Sequence, residues 1–397
     1  VTQIWLLELL KGTGKLFLHP LFYGCFLMAA ALGVSRVKRE RKNFHVRAQD
    51  AYFELRQLLP LGGLVGLALS VAAIGAGMVI PFAALLLVCA VALLAMLTLQ
   101  VKLLSPAFTV GVAFFLLVFT AGRGGELPLI GAAFSSLDTA VFPSLAILLA
   151  LLLIGESVLI GKNATKGTSP KLVKSKRGQT VGVHEVKRLW LVPVFLLIPG
   201  SAIESIFPWW PTFSLGEQAF SLLLVPFPIG IHQQVQGLLP KEAITITARR
   251  VLLLAILVLA VSAAGYWYPI ASIVAVALAM IGRESITMSQ KIKEANLAFY
   301  FSKKNNGIMI LGIIPGSPAE KMGLTVGELV SKVNGIAVRD EEQLYEALQY
   351  NRAHCKLEVI DTNGQIRFAQ RALFEGDHHE LGILFVQDEK KWGNAAV

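Results

Sequence analysis

Residues 307–338 read GIMILGIIPGSPAEKMGLTVGELVSKVNGIAV, and their local signals agree with one another. The apolar run at 308–314 stops at Pro315-Gly316, as a buried strand does. Ser317 is placed to cap a short helix, with Pro318 at its first position, Glu320 at its third and Gly323 just past its end. A second strand is expected over residues 329–333. Asn334-Gly335 is a type I′ hairpin signal, and residues 336–338 continue the pairing. Asp340 with Gln343 then caps a helix starting at Glu341, which presents Leu344, Ala347 and Leu348 on one side.

This ordered set, strand, PGSPAEKMGL, GELVSKVNG and EEQLYEALQ, resembles the PDZ domain over residues 298–387. PDZ domains take up an extended peptide as an added strand beside a helix. In the usual chain order the loop that holds the peptide carboxylate comes early. Here the matching residues, Glu380-Leu381-Gly382-Ile383-Leu384-Phe385, come last, after expected strands at 355–360 and 365–373, so the domain reads as circularly permuted. The resemblance implies a groove between Ile383, Leu384 and Phe385 on one side and the helix from Glu341 on the other. Leu381 and Gly382 offer backbone N–H groups there, and Tyr345 and Leu348 form its walls. The plainer reading is that Leu381, Ile383 and Phe385 only fill the domain core.

Everything before residue 283 has a different composition. The 397 residues are 55% hydrophobic and 16% charged, against roughly 25% charged for a soluble domain. That deficit implies an integral membrane protein. The net charge of +10 is carried by basic residues expected in loops between apolar runs, a positive-inside pattern rather than a nucleic-acid surface. Cys25, Cys89 and Cys355 have no metal-ligand spacing and imply no disulfide framework.

Each span needs roughly 20 apolar residues. Charge-free runs place spans at 16–34, two within 58–101 with a break near Pro81, one at 103–122 and one at 139–160. Further runs at 189–207 and 213–231 are expected as helices separated by the interfacial anchor Pro208-Trp209-Trp210-Pro211. Residues 251–282 are too long for one crossing and are expected as a hairpin turning at Tyr266-Trp267-Tyr268-Pro269. The expected architecture is therefore a polytopic α-helical membrane domain of about eight or nine spans, residues 1–282. A surface-lying linker, 283–297, a soluble α+β PDZ domain, 298–387, and a flexible tail, 388–397, follow. Two basic loops, one from Arg36 to Lys42 and one from Lys162 to Arg188, face the cytoplasm on this scheme, and so does the PDZ domain.

Catalytic chemistry is not evident. A zinc protease of the membrane needs His-Glu-x-x-His, but His184-Glu185 is followed by Arg188 at the second histidine position, and His184 is expected as a loop residue. No Gly-x-Ser-x-Gly is present, and His378-His379-Glu380 cannot readily converge on one ion. No cofactor or metal is expected. Intramembrane acids often mark function. Glu156 and Glu204 are too few to line a path, so a transporter is a weaker reading than a binding platform, as is a regulatory subunit of a membrane protease.

The whole layout, from KGTGKLFLHPLFY through RVKRERKNF, PGSAIESIFPWWP and GIMILGIIPGSPAEKMGL to RALFEGDHHELGILFV, resembles the MinJ family of cell-division topological determinants in Gram-positive bacteria. The resemblance implies a non-catalytic adaptor enriched at division septa and poles. It would join a DivIVA-like polar scaffold to a MinD-like membrane ATPase, which with MinC restrains FtsZ assembly. Other divisome proteins and self-association remain open; nucleic acid is not an expected partner.

Overall fold

The computed structural model describes residues 2–121, 141–204, 210–211, 219–351, 354–372 and 381–386. Glu380, His378, His379, Trp209 and the tail expected from residue 388 lie outside these. The chain opens with α1 (Thr2–Leu16) and α2 (Pro20–Phe44), separated by His19, whose ring accepts the Leu21 N–H and caps α2. Then come α3 (Phe53–Leu58), α4 (Pro60–Gly75), α5 (Phe82–Leu97), α6 (Pro106–Ala121) and α7 (Val141–Leu159).

 The last of these, Val141–Leu159, is the most deeply buried and packs against α4 and α6. Among the described residues five helices are long and apolar enough to cross a membrane: Pro20–Phe44, Phe53–Gly75, Val141–Ala164, Pro240–Ala264 and Pro269–Asn296. Two shorter apolar helices, Phe82–Leu97 and Pro106–Thr120, accompany them.

Within the runs expected as helices at 189–207 and 213–231, the described residues 189–204 and 219–231 are strand, not helix. They belong to a long antiparallel hairpin, β2 (Thr180–Glu204) and β3 (Ala219–Val235), with β1 (Ser169–Lys174) paired to the start of β2. The expected count of eight or nine helical spans is therefore not reached among the described residues. Proline explains the change. Pro193, Pro199, Pro226 and Pro228 fall inside the two runs, and each would cost about 3 kcal/mol in a helix interior. In the hairpin Pro193 faces Pro226 and Leu191 faces Pro228, so the missing donors cluster. The flanking Val192, Val194, Phe195, Val225, Phe227, Ile229 and Ile231 are β-branched or aromatic, residue types that suit strands.

Helices cover both faces of this hairpin, which is why its sequence is a continuous apolar run and not an alternating one. Trp190, Leu191, Val192, Val194 and Leu196 join the same buried cluster as Leu145, Leu149, Val251 and Val276. An unpaired strand edge inside an apolar bundle leaves costly backbone groups, and α4 closes the edge of β2. Gly62 and Gly66 let its backbone sit on the strand: a Cβ at Gly62 would lie 2.1 Å from the Leu191 carbonyl oxygen, and one at Gly66 2.2 Å from that of Pro193. One turn on, Ser70 Oγ accepts the Phe195 N–H at 2.8 Å. Past the end of α4, the Ile80 N–H donates to the Leu197 carbonyl at 2.9 Å. At this end of the bundle Trp210 donates its indole N–H to the Ile74 carbonyl and packs near Trp5 of α1.

After β3 come α8 (Pro240–Ala264) and α9 (Pro269–Asn296), turning at residues 265–268 as expected. Residues 283–296, expected as a polar, helix-compatible linker, continue α9. Glu294 explains their course, since its carboxylate accepts the N–H groups of Gln236 and Gly237, both at 2.8 Å, and ties the helix to the exit of β3.

The C-terminal domain holds β4 (Ile308–Met309), β5 (Gly312–Ile313), α10 (Pro318–Lys321), β6 (Leu329–Val333), β7 (Ile336–Ala337), α11 (Glu341–Gln349), β8 (His354–Ile360), β9 (Ile366–Ala372) and β10 (Ile383–Leu384). Strands run in the order β4-β6-β8-β9, with β7 beside β6, and β10 pairs with β5. The local signals act as their chemistry requires. Ser317 Oγ accepts the Glu320 N–H, Asp340 Oδ1 accepts the Gln343 N–H, and Asn334-Gly335 turns with both φ angles positive.

Candidate functional site

The groove residues come from the last strand and from α11. In β10, Ile383 lies opposite Ile313 and Leu384 opposite Gly312. The Ile314 N–H donates to the Gly382 carbonyl and the Leu311 N–H to that of Leu384, both at 2.8 Å. Gly382 and Leu384 thus spend backbone groups on β5, and antiparallel alternation turns the N–H and C=O of Ile383 away from it. Gly382 sits at φ +78°, and a Cβ there would lie 2.2 Å from Ser317 Cβ, so only glycine lets the loop close over α10. The Ala319 N–H donates to the Leu381 carbonyl at 3.0 Å and fixes the same loop.

Side chains divide by face. Leu381, Ile383 and Phe385 are buried with Leu344, Ala347 and Leu348 of α11 in the domain core, and Tyr345 packs against that cluster half-buried. Glu341 stands half-buried at the start of the helix. Leu384 points elsewhere. It joins Val386, Phe301, Met309 and Leu311 in a separate cluster with Phe44 and Ala48, just past the basic end of α2. The strand of the candidate groove therefore also carries the junction between the C-terminal domain and the helical bundle.

His184, expected in a loop, is instead buried in β2 beneath the Phe301 ring at 4.9 Å, hydrogen-bonded through Nδ1 to Thr168 Oγ1 at 2.9 Å. Burial pulls its imidazole down to about 4.

The sequence pattern of the PDZ domain family matches residues 309–361. Over its whole length the chain is 43% identical to the cell division topological determinant MinJ of Bacillus subtilis (strain 168), covering 98% of this chain and 97% of that protein. This chain belongs to the MinJ family. A probable cell division topological determinant MinJ of Lacticaseibacillus paracasei is 24% identical over 90% of this chain and 92% of its own length, and that of Lacticaseibacillus casei (strain BD-II) is equally similar. No solved structure matches the chain. In this MinJ-family chain the PDZ match ends at residue 361, before β9 and β10. The strand that pairs with β5 is thus the last among the described residues.

Two charged arrangements in this member of the MinJ family were not legible in the sequence. Arg36 and Arg39, expected in a loop, lie on α2, and Arg188 lies on β2; together with Glu40, Glu54 and Glu185 they form one cluster. Glu156 pairs with Arg283. The advance signals were the spacing of Arg36 and Glu40, four apart on one helical face, and the acid Glu156 within an apolar run.

Proposed function

We propose that the chain is a multi-pass adaptor of division-site selection that presents its PDZ domain to cytoplasmic partners. The full-length identity to a MinJ of Bacillus subtilis carries this reading. The helices of membrane length and the PDZ domain agree with it. On this reading the protein is not an enzyme; it concentrates a DivIVA-like scaffold and a MinD-like ATPase at septa and poles. Anchoring in the bilayer raises the effective concentration toward membrane-bound partners, so individually weak contacts suffice.

The partner strand is proposed to pair along Leu381, Gly382, Ile383, Leu384 and Phe385, beside Glu341, Tyr345 and Leu348. Because Leu381, Ile383 and Phe385 already fill the core, affinity would come mainly from backbone pairing at Ile383, with specificity from the α11 side. The test is a fluorescent fusion of the full chain, scored for septal and polar enrichment, alongside the Ile383→Pro variant. The variant is expected to stay in the membrane and lose partner recruitment. A uniform envelope signal from the parent chain sinks the adaptor reading; recruitment that survives in the variant moves the contact away from β10.

A further inference from the structure

Where α2 meets the start of β2, an open cleft of about 50 Å³ is lined by four cations, Arg36, Arg39, Lys187 and Arg188, and two carboxylates, Glu54 and Glu185. A single water needs roughly 10–15 Å³, so the cleft has room for a small oxyanion. Glu54 is shared between two arginines: its Oε2 lies 3.1 Å from Arg36 Nη2 and its Oε1 3.6 Å from Arg188 Nη1. Glu185 is hydrogen-bonded to Arg39 and lies 3.0 Å from His232 Nε2. Behind the cleft, Glu40 is engaged by the Ala48 N–H and the Ser169 hydroxyl, at 2.8 and 2.7 Å. Counting Glu40, the three carboxylates leave one cation uncompensated.

The guanidinium groups are also short of acceptors. Arg36 is 6% exposed and Arg188 3%. Arg36 Nε and Nη1, Arg39 Nε and Arg188 Nη1 are buried with no hydrogen-bond partner among the described residues, and the one carboxylate oxygen in the same state, Glu54 Oε2, is an acceptor for at most part of them. Buried guanidinium N–H groups are rarely left in that state, because an unmet charged donor costs several times what an average hydrogen bond returns. The two deepest arginines are held in place. Phe53 sits beneath both, 5.3 Å from Arg36 and 4.4 Å from Arg188, and Arg188 Nη2 donates to the Lys166 and Gly167 carbonyls.

The geometry points to a phosphate-binding site in this cleft, with Arg36 and Arg188 as its floor and Arg39 and Lys187 at its sides. Guanidinium forks match the oxygens of a phosphate group better than a single water does. The site lies between the basic C-terminal half of α2 and the first turn of α3, both part of membrane-length helices, so the phosphate of a lipid headgroup and free phosphate are both within chemical reach. The proposal is independent of the PDZ groove.

The test uses the full-length chain in detergent and follows thermal unfolding with two probes. One is inorganic phosphate against chloride at matched ionic strength. The other is phosphatidylglycerol in mixed micelles against a diacylglycerol with the same chains. Arg36→Gln removes a floor donor. Ser35→Glu leaves the arginines in place and sets a carboxylate at the exposed cleft-lining position 35. Each variant is expected to weaken the protecting probe by at least about tenfold, the loss of one charge-assisted hydrogen bond. Protection by phosphatidylglycerol alone assigns the phosphate to a headgroup, protection by inorganic phosphate alone to a soluble ion, and either outcome supports the site if Ser35→Glu abolishes it. No protection by either probe, or protection undiminished in Ser35→Glu, overturns it.

Discussion

Arg283 directs two donors, Nε and Nη2, onto one oxygen of Glu156, at 2.9 and 2.8 Å. The other carboxylate oxygen accepts the Ser105 hydroxyl at 2.6 Å, and Arg283 Nη1 donates to Thr287 Oγ1 at 2.9 Å. The pair is fully buried on the Glu156 side and joins α7, α9 and the turn that leads into α6. Glu156, the acid whose place in an apolar run invites a transport reading, is therefore fully engaged in holding helices together.

Removing one partner strands the other charge in an apolar setting, which typically costs about 3–5 kcal/mol. Arg283→Met alone is expected to lower the unfolding temperature of the purified chain sharply. The double variant Glu156→Leu with Arg283→Met is expected to regain most of that loss, because an apolar pair can replace a buried ion pair at little cost. Additive losses in the double variant would count against this assignment.

The close approach of α4 to β2 gives a prediction with an internal control. Gly62→Leu and Gly66→Leu each force a side chain into a strand carbonyl, whereas a Cβ at Gly63 meets nothing within 4 Å. The first two are expected to destabilise the bundle by at least about 2 kcal/mol, from overpacking together with lost edge coverage. Gly63→Leu on the same turn is expected to be tolerated. Denaturation of the three variants side by side, in detergent, ranks them. Equal behaviour of Gly62→Leu and Gly63→Leu would place the helix elsewhere.

The contrast between the two halves of the chain shows what sequence reasoning reaches. In the C-terminal domain the decisive contacts are local. Ser317 reaches Glu320, Asp340 reaches Gln343, and Asn334-Gly335 is its own turn, so strand and helix positions were legible. The hairpin was not, because a strand covered on both faces loses the two-residue alternation and reads as one apolar run. Its prolines at 193, 199, 226 and 228 are the signal that sets it apart from a span of the same length. The arginine cluster was invisible for another reason. Arg39 and Glu185 are 146 residues apart and Glu156 and Arg283 are 127, separations that no local rule describes.

Two adjacent residues of β2 make stability depend on pH in two steps. Burial holds His184 down to about 4 from 6.5, so the unfolded chain takes up its proton first and stability falls as pH drops from 6.5 to 4. For Glu185, burial pushes the carboxyl up, but the His232 hydrogen bond and the Arg39 charge outweigh it and hold it at about 2, against 4.5 ordinarily. Its contribution is present above 4.5 and is lost between 4.5 and 2. Each step is expected to be on the order of 3 kcal/mol at most. Melting curves from pH 7.5 downward, on the parent and His184→Phe, test this, with the upper step expected to vanish in the variant; an unchanged profile would remove His184 from the account.

The last prediction concerns the two faces of β10. Ile383 and Phe385 face the core of the C-terminal domain, while Leu384 packs into the junction with Phe44, Ala48 and Phe301. A Leu384→Ser substitution removes apolar contact only at the junction, whereas Ile383→Ser does so inside the domain. Burying a leucine of this kind is worth about 2–5 kcal/mol, enough to open a junction without unfolding the domain behind it. Hydrogen exchange on the full chain is the measurement. In Leu384→Ser, faster exchange is expected near Phe44 and at the Gly182–Phe301 bridge, with β6 and β8 still protected. In Ile383→Ser, β6 and β8 are expected to lose protection as well. If both variants expose the same amides, β10 does not separate the two clusters, and a strand added at Ile383 would have no route to the bundle through Leu384.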